Sequence, residues 1–318
     1  MPFAHPIQRT LVLVAQPEYL ATDDLLIIRE KMARQAPDIH VLVAGRADRA
    51  ELISASYWQR PTLTVSFGPM GRLRPLRGKV FANEAIPKLE QYRRLAAAGV
   101  ATPRTAPFRF GMELPAADWG ELCVLKPEDI DSTSSGRGLY LFRTRRLAGL
   151  MVDDLPLSHF ARVKPMIVQS FIDTGERFSV YRCLTLFGEV IYQNLATAPE
   201  PHPPLASDDH VIEGILPEPP RSRTTPVINT EPDVMAFAAA VHAVFPDIPL
   251  LGCDIVREHA TGRLHAIEIN AGGNVWHLSS PRTSSWRSIT KIQDYLRTFQ
   301  SYDKAALALI RTVRRHAS

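Results

Sequence analysis

The chain has 318 residues, of which 45% are hydrophobic and 22% charged, a composition typical of a globular protein with two or three compact lobes. Its 37 basic and 33 acidic residues leave a net charge of only +4. Because the basic residues are scattered, this balance argues against a nucleic-acid partner. Three cysteines without Cys-x-x-Cys spacing argue against a disulfide framework or a zinc site, and favour a reducing, cytoplasmic location. The N-terminal apolar run is too short for a signal peptide or a membrane span, so no membrane partner is expected.

The first part of the chain predicts a small parallel sheet. Apolar runs typical of short buried strands lie at residues 11–15, 39–44 and 62–67, and a helical pattern lies at 25–35. This β-α-β rhythm predicts a Rossmann-like α/β domain over residues 1–84. A basic connector rich in Pro and Gly occupies 68–79.

Residues 85–318 predict a second unit with a mixture of helices and antiparallel strands. Helical periodicity is found at 86–100, where a Gly stops the helix, at 233–245 and at 302–317. Strand patterns are found at 122–127, 138–142, 167–172, 177–197 and, as a hairpin, 250–270. Residues 199–232 are rich in Pro and lack periodicity, which predicts a long irregular segment.

The hairpin predicts which of its residues face each other. If its loop is Ala260-Thr261-Gly262, with Gly in the left-handed region, Asp254 lies directly opposite Glu268 unless a bulge shifts the register by one residue. In that register three polar residues, Asp254, Glu268 and Asn270, share one face. The other face is then apolar, with Cys253, Ile255, Ile267 and Ile269.

Two carboxylates that face each other repel unless something cationic lies between them. Carboxylate and amide oxygens at this spacing suit Mg²⁺. The alternative is a solvated sheet face, against which the apolar character of the flanking strands argues. The following glycines, Gly272 and Gly273, would let a substrate approach the backbone beside the metal.

Small residues follow the strand that ends at Lys126. Residues 134–138 read Ser-Ser-Gly-Arg-Gly, whose backbone N–H groups and hydroxyls suit phosphate oxygens. By itself this stretch is a weak signal, and a flexible surface turn is the better interpretation of it. Together with Lys126 and the acidic hairpin it predicts a polyphosphate–magnesium site. No Walker A loop, dinucleotide fingerprint or Gly-x-Ser-x-Gly elbow occurs in the sequence.

The order of these motifs resembles the ATP-grasp superfamily, and specifically its carboxylate–amine ligases, over residues 85–278. The resemblance depends on "PKLEQYRRLAAAGVATP", "VLKP" followed by "STSSGRG", "IVQSFIDTGERFSVYRC", "LFGEVI", "LGCDIV" and "IEIN", in that order. It implies an α/β (α+β) fold, in which an ATP-grasp module with a lid subdomain at about 105–168 follows the small parallel-sheet domain.

The resemblance also implies roles for individual residues. Lys88 and Lys126 correspond to lysines on the nucleotide phosphates, and Ser134, Ser135, Gly136 and Gly138 to a mobile loop over them. Gln169, Phe171 and Ile172 correspond to a hinge that holds adenine, Glu176 to a ribose ligand, and Arg182 to a basic group near the transferred phosphoryl group. Asp254, Glu268 and Asn270 correspond to ligands of two Mg²⁺ or Mn²⁺ ions. Alternatively, Arg182 and Glu176 are exposed surface residues, and Trp276 and His277 are a core and a surface residue.

The expected function is an ATP-dependent ligase that activates a carboxylate as an acyl phosphate and joins it to an amine, with Lys126 and Arg182 as catalytic residues. One alternative is a small-molecule kinase with the same architecture. Another is a nucleotide-binding protein without turnover, against which the acidic trio argues. The expected partners are a small carboxylate and a small amine, whose identity the fold does not fix, and a homodimer is compatible with this expectation.

Overall fold

The computed structural model describes residues 8–48, 55–129, 138–215, 226–271, 275–281 and 289–318. Its first strands are β1 (Arg9–Ala15), β2 (Ile39–Gly45), β3 (Thr62–Ser66) and β4 (Lys79–Ala82). They form a parallel sheet in the order β2-β1-β3-β4, with α1 (Thr22–Gln35) after β1 and the one-turn α2 (Ala55–Trp58) before β3. The predicted parallel sheet is confirmed, and it has a fourth strand, β4, that the sequence pattern did not indicate.

Apolar side chains cover both faces of this sheet. Leu11 and Leu13 of β1 pack with α1 and with the C-terminal helix, Ser301–His316. The intervening Val12 and Val14 pack with Trp58 on the opposite face. Strands buried on both faces have continuous apolar runs, which made them predictable. The last helix of the chain thus completes the core of the first sheet, and the domain boundary predicted after residue 84 stays a prediction.

A buried carboxylate joins α1 to the C-terminal part of the chain. Asp24, in the first turn of α1, accepts hydrogen bonds from Trp276 Nε1 (2.6 Å), Ser279 Oγ (2.6 Å) and Tyr302 Oη (2.7 Å). Trp276 is fully buried and stacks on Phe67, which confirms it as a core residue. A carboxylate taken out of water is stable when such donors replace the lost solvent.

Replacing Asp24 with Ala should lower the free energy of unfolding by about 3 kcal/mol, because the buried Trp276 donor and two partly buried hydroxyls lose one charged acceptor. Asp23→Ala is the matched control, since Asp23 is exposed in the same helical turn and its loss should change stability by less than about 0.5 kcal/mol. Urea unfolding of both variants measures the difference. Similar losses in the two variants would contradict the role given to Asp24.

A second, antiparallel sheet follows helix α3 (Lys88–Ala97). The helix ends as predicted, because Gly99 takes a φ of +73°. The strands are β5 (Thr105–Pro107), β6 (Leu122–Pro127), β7 (Tyr140–Arg143) and β8 (Met166–Ser170), in the order β5-β8-β6-β7. Helix α4 (Ala116–Trp119) and 3₁₀ turns at Thr144–Gly149, Val152–Asp154 and Phe160–Arg162 lie in its connections. We call this sheet the lid sheet.

The two faces of the lid sheet differ in character. On one face, Cys123 and Leu125 of β6 belong to an apolar core. Residues of a strand alternate between faces, so Leu122, Val124 and Lys126 share the other face. The sequence of β6 therefore places Lys126 on the side away from that core.

The third sheet is large and antiparallel. Its strands are β9 (Ser179–Leu186), β10 (Glu189–Thr197), β11 (Val227–Ile228), β12 (Leu250–Arg257) and β13 (Leu264–Asn270), in the order β11-β10-β9-β12-β13. Helix α5 (Asp209–Ile212) precedes β11, and α6 (Pro232–Ala243) packs on one face as the predicted helix. Helices α7 (Ile289–Phe299) and α8 (Ser301–His316) end the chain. Among the helices of the ranges above, none has the length and apolar composition of a membrane-crossing segment.

The hairpin loop between β12 and β13 is one residue longer than predicted. Glu258 N–H donates to Arg263 O at 2.9 Å, so four residues, not three, make the connection. Gly262 takes a φ of +71°, which confirms that it occupies the left-handed region. His259 accordingly does not pair with Arg263.

A β-bulge cancels this offset farther along the hairpin. Asp254 lies opposite Glu268 as predicted, whereas its neighbour Ile255 lies opposite Ala266. Ile267 has no opposite residue in this register, because a bulge places two residues against one. The prediction that Ile267 shares the apolar face is therefore wrong, and Ala266 takes its place in the core.

Candidate active site

A row of polar residues crosses the large sheet. Arg182 of β9 lies opposite Asp254 of β12, and Asp254 lies opposite Glu268 of β13. Asn270 lies two residues beyond Glu268, on the same face, and opposite Gly252. The hairpin thus brings the three predicted metal ligands together, as sequence spacing indicated.

The two carboxylates have cationic partners on both sides. Arg182 Nε and Nη2 donate to the two oxygens of Asp254 at 2.7 and 2.9 Å, in a fork that suits a carboxylate. Lys88 Nζ lies 3.6 Å from Glu268 Oε1. Burial lowers the pKa of Lys88, and the neighbouring Glu268 opposes this shift. The sequence anticipated repulsion between the acids, and these two cations offset it.

Lys88 and Lys126 approach the acids from two other elements. Lys88, at the start of α3, is 2% exposed and also donates to Pro127 O at 3.1 Å. Lys126, near the end of β6, donates to Tyr92 Oη at 2.7 Å and to Ile267 O at 2.9 Å. Helix α3, the lid sheet and the large sheet therefore meet at Glu268.

The residues predicted to hold a nucleotide base lie where β8 leaves the lid sheet. Gln169 is buried, and its amide donates to Thr105 Oγ1 at 2.8 Å. Phe171 N–H donates to Leu122 O at 3.1 Å. Ile172 is half-buried, and Glu176 is exposed in the turn before β9, the position its alternative interpretation gave it.

A cleft of about 790 Å³ opens beside Phe171. Its lining includes Leu122 and Phe171 from the lid sheet and residues 205–209 from the Pro-rich segment. Arg143 reaches across the cleft to Asp209 Oδ1 at 3.2 Å. Leu122, which lines the cleft, lies on the same face of β6 as Lys126. The two residues are roughly 13 Å apart along the strand, because strands rise roughly 3.3 Å per residue.

The small-residue loop is described only from Gly138 onward. Ser134, Ser135 and Gly136 lie outside the described residues, as do Gly272 and Gly273. Gly138 takes a φ of +78°, and a Cβ there would lie 2.2 Å from Phe160 Cδ2 and 2.9 Å from Pro127 Cγ. Both the backbone and the packing therefore require Gly at the point where the loop enters β7.

Gly138→Ala should lower the free energy of unfolding by about 2–4 kcal/mol, from left-handed strain together with the clash against Phe160. Gly188→Ala isolates the strain, because Gly188 has a φ of +84° and a Cβ there would meet nothing within 4 Å. The free energy of unfolding of Gly188→Ala should fall by only about 1–2 kcal/mol. Urea unfolding of the two variants gives the comparison, and equal losses would show that Phe160 does not restrict this position.

Several contributors to this site were missed from the sequence. Tyr92 lies four residues after Lys88, hence on the same face of α3, and this spacing was the available signal. Gly252 was also missed: a Cβ there would lie 2.8 Å from Val275 Cγ1, so the glycine makes room opposite Asn270. His277 is half-buried rather than a surface residue.

The donor set suits Mg²⁺ or Mn²⁺. Asp254 and Glu268 supply carboxylate oxygens and Asn270 an amide oxygen, the hard ligands that these ions prefer. Within the described ranges, no group of three or more His, Cys, Asp or Glu side chains could hold a metal ion. A metal at this site would therefore depend on the amide as well as on the two acids.

Solved structures with a similar fold include several ligases. D-cycloserine synthetase DcsG is 15% identical, with 96% of this chain and 99% of that chain covered and a TM-score of 0.49. A RimK domain protein, ATP-grasp, from Sphaerobacter thermophilus is 14% identical, with 93% and 98% covered and a TM-score of 0.48. The D-alanine–D-alanine ligase from Bacillus anthracis complexed with ATP is 12% identical, with 97% and 98% covered and a TM-score of 0.47. Searches of family models and of curated proteins gave no match.

A parallel sheet precedes two antiparallel sheets along the chain, and the predicted lysines and acids meet where the sheets adjoin. The predicted α/β (α+β) fold class, with a parallel sheet before two antiparallel sheets, is confirmed. At identities of 12 to 15% the similarity concerns the fold, and the reaction has to be argued from the residues of this chain.

Proposed function

We propose that the chain is an ATP-dependent carboxylate–amine ligase that uses Mg²⁺ or Mn²⁺. The observation that carries this proposal is the facing pair Asp254 and Glu268, with Arg182, Lys88 and Lys126 around it. Phosphoryl transfer is catalysed mainly by positioning and by balancing negative charge, which such a cluster supplies. The order of the sequence motifs, which resembles that of the carboxylate–amine ligases, supports the same class of reaction.

In the proposed reaction, an oxygen of the substrate carboxylate takes the γ-phosphoryl group of ATP, which gives an acyl phosphate and ADP. An amine then attacks the acyl carbon, phosphate leaves with the C–O bonding electrons, and the amine gives up a proton as the C–N bond forms. Lys88 and Lys126 would hold the nucleotide phosphates as point charges. The fork to Asp254 would hold Arg182 where it can balance charge on the transferred group.

Two divalent ions held by Asp254, Glu268 and Asn270 would neutralise phosphate charge and orient the phosphate oxygens. The cleft beside Phe171 supports placing the base there, since it lies on the Lys126 face of the lid sheet. The three cysteines are buried and unpaired with one another, which supports a reducing compartment such as the cytoplasm.

Hydroxylamine trapping tests the ligase proposal. A panel of amino acids and small dicarboxylates is offered one at a time with ATP, Mg²⁺ and hydroxylamine, without any other amine. A ligase should convert its carboxylate to a hydroxamate and release one ADP and one phosphate per product, because an acyl phosphate is open to nucleophiles at carbon. A phosphorylated product that survives hydroxylamine, with no phosphate released, would instead identify a kinase.

Glu268→Gln should reduce turnover by about a hundredfold or more, because it removes one of the two facing charges that would hold the metal. It should also weaken Mn²⁺ binding in the presence of ATP, measured by electron paramagnetic resonance. Glu258→Gln, in the turn of the same hairpin, is the control and should change neither quantity. Unchanged Mn²⁺ affinity in Glu268→Gln would remove Glu268 from the metal site.

A further inference from the structure

A backbone oxygen of β13, at the bulge beside the acids, accepts from two other elements. Ile267 has no opposite residue on β12, and its carbonyl accepts hydrogen bonds from Lys126 Nζ at 2.9 Å and from the hydroxyl of Tyr92. Two donors from different elements thus converge on one carbonyl, next to Glu268. β13 is the edge strand of the large sheet, so the carbonyl groups on its outer side face no neighbouring strand and can accept from such donors.

Side chains of helix α3 contact three consecutive residues of β13. Tyr92 donates to the Ile267 carbonyl, Lys88 pairs with Glu268, and Gln91 Oε1 accepts from the N–H of Ile269 at 3.2 Å. These α3 side chains are all less than 5% exposed. The helix therefore fixes the backbone on both sides of Glu268.

Tyr92 contacts Lys126 in two ways. Its hydroxyl accepts a hydrogen bond from Lys126 Nζ at 2.7 Å, and its ring centroid lies 5.1 Å from the same nitrogen. A lysine ammonium at the end of four methylene groups has many rotamers, so it needs such contacts to stay at one place. Glu268 follows Ile267 in the chain, and its carboxylate would attract this cation if the contacts with Tyr92 were lost.

We propose that Tyr92 is a positioning residue for Lys126. Its hydroxyl bonds both the Lys126 ammonium and the Ile267 carbonyl that this ammonium contacts, and so holds the charge where the nucleotide phosphates bind. This inference rests on the proposed function, because Lys126 is taken as the phosphate ligand. Without the hydroxyl, Lys126 is drawn toward Glu268, and the phosphates lose part of its charge.

Calorimetry with ATP and Mg²⁺, and separately with AMP, on Tyr92→Phe tests this role. The variant keeps the ring and loses only the hydroxyl. We expect ATP affinity to fall about tenfold and AMP affinity to change less than about twofold, since the effect acts through a phosphate-binding cation. Tyr181→Phe is the matched control, because Tyr181 is buried and its hydroxyl bonds Glu231 rather than Lys126. Loss of this hydroxyl should change the affinity for neither ATP nor AMP.

A double-variant cycle separates positioning from a merely structural effect. In a Lys126→Ala background, Tyr92→Phe should weaken ATP binding no further, because the residue it positions is gone. If Tyr92→Phe does not fold, Tyr92→Met, which has a flexible apolar side chain and no hydroxyl, replaces it in both measurements. Equal losses for ATP and AMP, additive losses in the double variant, or no loss at all would each overturn the proposal.

Two failures can be told apart. If the wild-type chain binds ATP but the Tyr92 variants bind it equally well, the positioning role is refuted while the proposed function stands. If the wild-type chain binds neither nucleotide, the proposed function is refuted, and the role of Tyr92 with it.

Discussion

Two carboxylates on neighbouring strands repel each other, and much of this protein is arranged so that Asp254 and Glu268 can nevertheless lie face to face. Arg182 donates two hydrogen bonds to the carboxylate of Asp254, and Lys88 lies beside Glu268. Charges that leave water are tolerated when they are paired and hydrogen-bonded, and removal of one partner leaves the other uncompensated. The compensating cations come from β9 and α3, so the acid pair can exist only when these elements are packed correctly.

The second constraint is the backbone of β13. Tyr92, Lys88 and Gln91 of α3 contact three successive residues around Glu268, and Lys126 brings the lid sheet to the same stretch. β13 is the edge strand of its sheet, so the polar backbone groups on its outer side are available to these side chains. The bulge at Ile267 adds a local irregularity at the same place, and bulges are over-represented beside active sites.

The facing acids were predicted correctly although the hairpin loop and the ladder each contain one residue more than predicted. The hairpin loop has four residues rather than three, and the bulge at Ile267 adds one residue to the other strand, so the two offsets cancel at Asp254. Alternation of apolar and polar residues constrained the register at the acids, where one face is buried, but it does not reveal an extra residue in the ladder. Ile267 was therefore placed on the wrong face.

By itself, the sequence determined most of the elements, although not β4 or α7, and the chemistry of the hairpin acids. The continuous apolar runs of β1 and β3, the glycine stop of α3 and the spacing of the hairpin acids are local patterns, and local sterics and periodicity are enough to decode them. The tertiary structure alone decided which distant groups meet: Arg182 with Asp254 across 72 residues, Tyr92 with Ile267 across 175, and Asp24 with Tyr302 across 278. The physical reason is that periodicity records which face of an element is buried but not which element covers it. That choice depends on packing the whole chain, and here it determined the partners of every charge in the site.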